Sequence, residues 1–208
     1  MFLDNFKLSP ETRILDLGGW NGSHIHAILE DSPVLPSNVY VADIDERAVN
    51  EAAEHFGFVP VVIPEIGQIP FPDKFFDIVF CSSVIERVTV PKDEVWTLVS
   101  GRRFQDAAKQ HQREFANEIR RLGKGYFVQA PHRWFPFETH SWLPFVSYLP
   151  RRLQVPLFRF TNRFWIKKTI PDWYLPIMKD MKFYFPDASI LEERVFGVTK
   201  SLIAYQRN

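Results

Sequence analysis

The stretch RILDLGGWNG, residues 13–22, reads as a short buried strand running into a glycine-rich turn. Ile14, Leu15 and Leu17 form the apolar run, and Gly18, Gly19 and Gly22 follow it. Glycines at such a place permit positive φ and let the backbone come close to a ligand. Residues 23–30 (SHIHAILE) then space Ile25, Ile28 and Leu29 as one helical face, and Ser32, Pro33 and Pro36 break it. VYVAD, residues 39–43, predicts a second strand that ends on an acid, Asp43.

The same alternation continues outward from this unit. Residues 46–56 are helical in pattern, with Gly57 as the stop, and residues 59–63 and 75–81 read as third and fourth strands. Residues 92–122 read as mostly helical, with Phe115, Ile119 and Leu122 on one face, and Tyr126 to Gln129 as a fifth strand after Gly123 and Gly125. Strands alternating with helices imply a parallel sheet covered on both faces. Right-handed crossovers make it doubly wound, with its ligand crevice at the carboxyl ends of the strands. Residues 188–206 read as two strands around Gly197, a closing hairpin. The expected fold is α/β: a Rossmann-like, mostly parallel seven-stranded sheet with a C-terminal antiparallel hairpin.

Between the fifth strand and that hairpin the texture changes. Residues 131–185 hold four of the six tryptophans and nine Lys/Arg against three Asp/Glu, and prolines keep the pieces short. We expect one domain: a cofactor-binding core over 1–131, an aromatic and basic cap over 132–185, and closing strands over 186–208. The cap has three readings: an apolar acceptor pocket, a satellite core with snorkelling cations, or a peripheral contact with an anionic membrane through Arg151, Arg152, Arg159, Arg163, Lys167 and Lys168.

The totals narrow the functional classes. The chain has 208 residues, 46% hydrophobic and 24% charged, with zero formal net charge. That is ordinary for a soluble globular domain, and the neutral charge with no basic arm argues against a nucleic-acid partner. A single cysteine, Cys81, excludes an intramolecular disulfide and a cysteine-rich zinc site. No secretory signal or membrane-length apolar run is present, so the expected location is cytoplasmic.

An acid ending the second strand, such as Asp43, can accept from both hydroxyls of a ribose. Nicotinamide, flavin and S-adenosylmethionine (SAM) sites share that geometry, so chemistry must choose among them. A dinucleotide turn needs glycines where Trp20 and Ser23 stand, so that a pyrophosphate can rest on the helix. Asp16, at the strand end, suits a cationic ligand better than a pyrophosphate.

ILDLGGWNG is similar to the first motif, hhDhGxGxG, of class I SAM-dependent methyltransferases, and VADIDE resembles their second. PEIGQIPFPDKFFDIVFCSSVIERV resembles a long stretch of the small-molecule methyltransferase group, and FANEIRRLGKGYFVQAP its following helix and fifth strand. Together these cover about residues 13–131. The resemblance implies SAM as cofactor. Asp16, Gly18 and Gly22 would line its methionine part, Gly19 would belong to the same cofactor turn, and the Trp20 side chain would either cover the cofactor or obstruct it. Asp43 would hold the ribose and Ile44 would lie against the adenine, with Glu65 and Ile66 beside the adenine ring. Cys81 and Ser82 would face the methyl-donor end. The chain departs from the pattern at Trp20, which replaces the middle glycine, and at Arg87, which replaces the usual histidine.

PHRWFPFETH, residues 131–140, follows the fifth strand and resembles a PNRxFPxExH stretch of a bacterial branch of that family. It nominates His140 as general base, Glu138 as its orienter or an acceptor contact, and His132 as a polar substrate contact. The alternative is that Glu138 and His140 only tie the cap to the core. His24, His26, His55 and His111 fall on predicted helices and read as surface or packing residues. Two functions remain: a methyltransferase acting on a small-molecule or glycan-type acceptor, and a non-catalytic module that kept the fold.

Overall fold

A computed structural model describes residues 1–65, 67–137 and 141–207. Among the described residues, seven strands form one sheet: β1 (Ile14–Leu17), β2 (Val39–Asp43), β3 (Val59–Val62), β4 (Phe76–Ser82), β5 (Gly123–Pro131), β6 (Ser189–Val195) and β7 (Val198–Gln206). Their order is β3-β2-β1-β4-β5-β7-β6. β1 to β5 are mutually parallel, and β7 runs antiparallel to both β5 and β6. The expected Rossmann-like sheet and closing hairpin are therefore present. The strand order reverses between β1 and β4, which puts the crevice above their carboxyl ends.

Among the described residues, six α-helices accompany the sheet: α1 (Phe2–Asn5), α2 (Ser23–Leu29), α3 (Glu46–Phe56), α4 (Gly101–Leu122), α5 (Arg151–Thr161) and α6 (Met178–Tyr184). One face packs Ile14, Val41, Ile78 and Phe80 against Ile25 of α2 and Val49 and Ala52 of α3. The other packs Leu15, Leu17, Val79 and Val128 against Ala116 and Ile119 of α4 and Met181 and Tyr184 of α6. Both faces of β1 and β4 are thus apolar, as a doubly covered parallel sheet requires. The bounds of α3 follow from its ends. Asp45 caps it by accepting from the Arg47 and Ala48 amides, and Gly57 closes it in the left-handed region.

Two elements differ from expectation. Residues 92–100 make turns, and α4 starts only at Gly101. The cause lies in the cap. Arg151 of α5 donates to the carbonyls of Val95, Leu98 and Pro171 at 2.7, 2.7 and 2.8 Å. Arg159 takes the Trp96 carbonyl at 3.0 Å. Carbonyls that would extend the helix are bonded to arginines instead. Arg151 is buried, its guanidinium 3.3 Å from the Phe104 ring centre, and burial pushes its pKa down to about 10 against the pull of Asp172. The second difference is β5, which already includes Gly123 and Gly125. Both pair with β4, Gly123 with Phe76 and Gly125 with Ile78, so α4 runs straight into the sheet.

Between β5 and α6 the cap folds over a small core of its own. Val146, Phe158, Trp173 and Leu175 are buried together, with Trp96, Leu143, Leu149 and Leu157 packed around them. It is tied to the segment after β4 by the Arg87–Asp172 ion pair at 2.8 Å and by the Thr89 hydroxyl on the Asp172 carbonyl at 2.7 Å. The Tyr174 amide donates to the Glu86 carbonyl at 2.7 Å. Among the described residues, no helix is long and apolar enough to cross a membrane.

Candidate cofactor and acceptor site

The turn after β1 is built around a buried carboxylate. Asp16 is 3% exposed, and among the described residues its Oδ2 has no hydrogen-bond partner. Burial, and then the charge of Asp43, push its pKa up to about 7. The carboxylate lies directly under Gly19, where an added Cβ would come within 2.2 Å of Oδ2. Gly18 has φ +76° and faces Val84, whose methyls would lie 2.4 and 2.7 Å from a Cβ there. No side chain fits between this turn and Asp16 or Val84, so the backbone itself forms the wall. Gly22 is buried and caps α2.

Asp43 stands across from it at the end of β2. One carboxylate oxygen accepts from the Trp20 amide at 3.1 Å, and the other from the Asp45 amide at 3.1 Å. Asp43 therefore fixes the turn, and each oxygen keeps a lone pair for a further donor. Ile44, the next residue, is exposed, and so is Glu65 beyond the end of β3. Ile66 lies outside the described residues.

Trp20 adopts φ +48°, the left-handed conformation a glycine takes freely, and it is 60% exposed. The indole thus stands at the rim of the crevice and does not fill it. Trp20→Gly is expected to stabilise the protein by about 0.5–1 kcal/mol, as relieved strain outweighs the added unfolded-state freedom. Cofactor affinity should change by less than about threefold, a small effect for a rim group. Thermal melts and ligand titration check both. A loss above tenfold would show that the indole covers the ligand.

At the end of β4, the Cys81 thiol is fully buried, and burial, Glu86 and Asp16 push its pKa well up. It is a packing residue and not a nucleophile. Ser82 donates to the Gln129 side-chain carbonyl at 3.3 Å. The Gln129 amide continues to Ser201 and to Glu193, both at 3.1 Å, so one polar row spans β4, β5, β7 and β6. Glu86 is fully buried just beyond. Asp16, Asp43 and Glu86 make this end of the sheet acidic, while Arg87 turns outward to Asp172.

Of the three acceptor-side candidates, only His132 is described. Its amide donates to the Lys200 carbonyl at 2.8 Å, and its ring is half-buried beside Thr199 and Glu192 of the closing hairpin. Burial holds its pKa below the usual imidazole range, so the ring is neutral at pH 7. Glu138 and His140 lie outside the described residues. His24 and His26 sit on α2, His55 on α3 and His111 on α4, where the Thr89 carbonyl meets the His111 ring.

Sequence reasoning missed Val84, Glu86 and Gln129. Gln129 carried a signal, a polar residue inside an apolar strand. Val84 carried none, because it meets Gly18 from a segment 66 positions away. Clefts alone would have misled. One of about 780 Å³ opens at the amino-terminal edge of the sheet, lined by Thr12, Asp77 and Arg207, away from all these residues.

A strand order of 3-2-1-4-5-7-6 with β7 antiparallel differs from the all-parallel 3-2-1-4-5-6 of dinucleotide folds. It is a Rossmann-like sheet closed by an antiparallel hairpin. Residues 15–100 match the family model described as "Methyltransferase domain". A SAM-dependent methyltransferase from Aquifex aeolicus is 19% identical, with 98% of this chain and 86% of that chain covered and a TM-score of 0.52. The PH0226 protein from Pyrococcus horikoshii OT3 is 16% identical, with coverage of 98% and 85% and a TM-score of 0.58. A Rhodobacter sphaeroides chain described among Zn-dependent alcohol dehydrogenases is 12% identical, with coverage of 97% and 86% and a TM-score of 0.61. At such identities the likeness is one of fold. No curated protein sequence gives a significant match.

Proposed function

We propose that this protein is a SAM-dependent methyltransferase acting on a small-molecule or glycan-type acceptor. The observation that carries the reading is Asp16: a buried carboxylate with an open oxygen, pressed against a glycine turn at the switch point of the sheet. Such a group is costly to ionise unless a cation joins it. SAM brings an ammonium and a sulfonium, and its methyl is the electrophile in an in-line displacement. The fit extends to Asp43, whose remaining lone pairs suit the ribose hydroxyls.

The chain's own work is positioning and exclusion of water. Asp16 and the Gly18–Gly19 backbone hold the amino acid end, and Asp43 holds the ribose. Ile44, Glu65 and Ile66 line the adenine, and Cys81 and Ser82 stand at the methyl-donor end. His140, with Glu138 as orienter, takes a proton from an oxygen acceptor. His132, neutral at pH 7, contacts the acceptor.

Isothermal calorimetry with SAM and S-adenosylhomocysteine tests the reading. Binding in the micromolar range is expected, as is usual for substrates and cofactors. Absence of binding at millimolar ligand would leave the second reading, a non-catalytic module. The strained Trp20 in place of a motif glycine favours that alternative.

A further inference from the structure

We propose that the outer surface of the cap is a docking site for an anionic lipid bilayer. Every other long helix of the fold shows solvent a mixture of acids and bases. α3 exposes Glu46, Arg47 and Glu54, and α4 exposes Arg103, Asp106 and Glu114. α5 does not. Its inner side buries Gln154, Val155 and Phe158 in the cap core, yet its outer side presents Leu153, Pro156 and Phe160 between Arg152 and Arg159. The stripe runs on through Arg163 and Phe164, and the Phe160 and Phe164 rings pack edge-on at 5.0 Å.

The loop after α5 extends the same surface. Ile166 is 92% exposed, and Lys168 beside it is also exposed. Lys167 sits 4.7 Å from the ring centre of Trp142, itself 61% exposed. Phe145 and Tyr148 add to the patch. Between residues 141 and 185 the acids are Asp172 and Asp180, and both are buried. The surface is therefore wide, aromatic and cationic, with no exposed carboxylate among these residues.

That chemistry matches one occupant. Apolar rings enter the acyl boundary while arginines and lysines reach back to phosphates. A protein partner would leave the rings and cations needing complementary acids in fixed places, whereas an anionic leaflet supplies charge everywhere. Crowded exposed aromatics of this extent mark an interaction surface. The patch also borders a cleft. Lys167, Lys168, Asn162, Thr169 and Ile170 line a cleft of about 430 Å³ together with Arg87, which follows Glu86 at the crevice. On the methyltransferase reading above, a bilayer seated here presents a lipid-borne acceptor beside the cofactor. The docking itself does not depend on that reading.

Vesicle flotation without cofactor tests the docking, so its outcome is separate from that of SAM calorimetry. The protein should float with phosphatidylcholine vesicles containing roughly one third phosphatidylglycerol, stay behind with pure phosphatidylcholine, and be released by high salt. Combined Arg152→Glu, Arg163→Glu and Lys168→Glu should weaken binding on the order of a hundredfold, from roughly fivefold per lost cation. Ile166→Asp, at a position that carries no packing, should also weaken it with an unchanged melting curve. Brominated lipids should quench Trp142 fluorescence. Equal flotation with both vesicle types, or undiminished binding by the folded triple variant, would overturn the proposal.

Discussion

Replacing Asp16 by asparagine is expected to make the protein more stable at pH 8 by roughly 2–4 kcal/mol and, on its proposed cofactor role, to weaken cofactor binding strongly. Both effects come from one buried charge. Asp16 titrates near 7 in the folded chain and near 3.8 when unfolded. The folded state therefore holds an extra proton between those values, and its stability falls as pH rises from about 4 to 7. Above pH 7 the loss levels off at roughly 4 kcal/mol, the product of the shift and about 1.4 kcal/mol per unit. Asparagine keeps the shape and never ionises, so it escapes that loss. Denaturant melts at pH 5 and pH 8 should show the variant gaining at both, and clearly more at the higher pH. An equal gain at both would show that Asp16 is not strained by its charge.

The same substitution should weaken SAM by at least about 2 kcal/mol, through loss of a desolvated charge pair. It should also remove a pH dependence. In the wild-type chain a cationic ligand must draw a proton off Asp16, so affinity should fall about tenfold per unit below pH 7. In Asp16→Asn it should stay flat. Stability set against binding in this way is what a functional site built on strain predicts.

Asp43→Ala is the second large change. It deletes the proposed ribose acceptor and also the two amide bonds that fix Trp20 and Asp45. SAM should bind about 1–3 kcal/mol more weakly from the lost charge-assisted hydrogen bonds alone. Loss of the turn's anchor adds to this, and it should appear as faster amide exchange at Trp20 and Asp45. Unchanged affinity by calorimetry would mean that the ribose lies elsewhere.

Much of this was legible in the sequence because the sheet is local. Each strand and its neighbouring helix announce themselves by period, and Gly57 and Gly197 punctuate them where turns occur. Asp16 and Asp43 were recognisable as strand-ending acids. Their electrostatics were not, since the raised pKa of Asp16 depends on how completely the fold buries it and on how near it brings Asp43. Val84 over Gly18 and Arg151 under residues 95–98 are likewise products of long-range packing. The helix expected from residue 92 begins only at Gly101, because two arginines from the cap bond carbonyls of residues 95–98. Trp20 broke the motif on paper, yet the turn survives because the tryptophan accepts a glycine's φ and turns its ring outward.

A crystal structure with S-adenosylhomocysteine tests the central claim most directly. The account predicts ligand density along the carboxyl ends of β1 and β2, with the amino group near Asp16, both ribose hydroxyls on Asp43 and the sulfur toward Ser82. Density in the cleft at Thr12 and Arg207, or ribose hydroxyls away from Asp43, would contradict it.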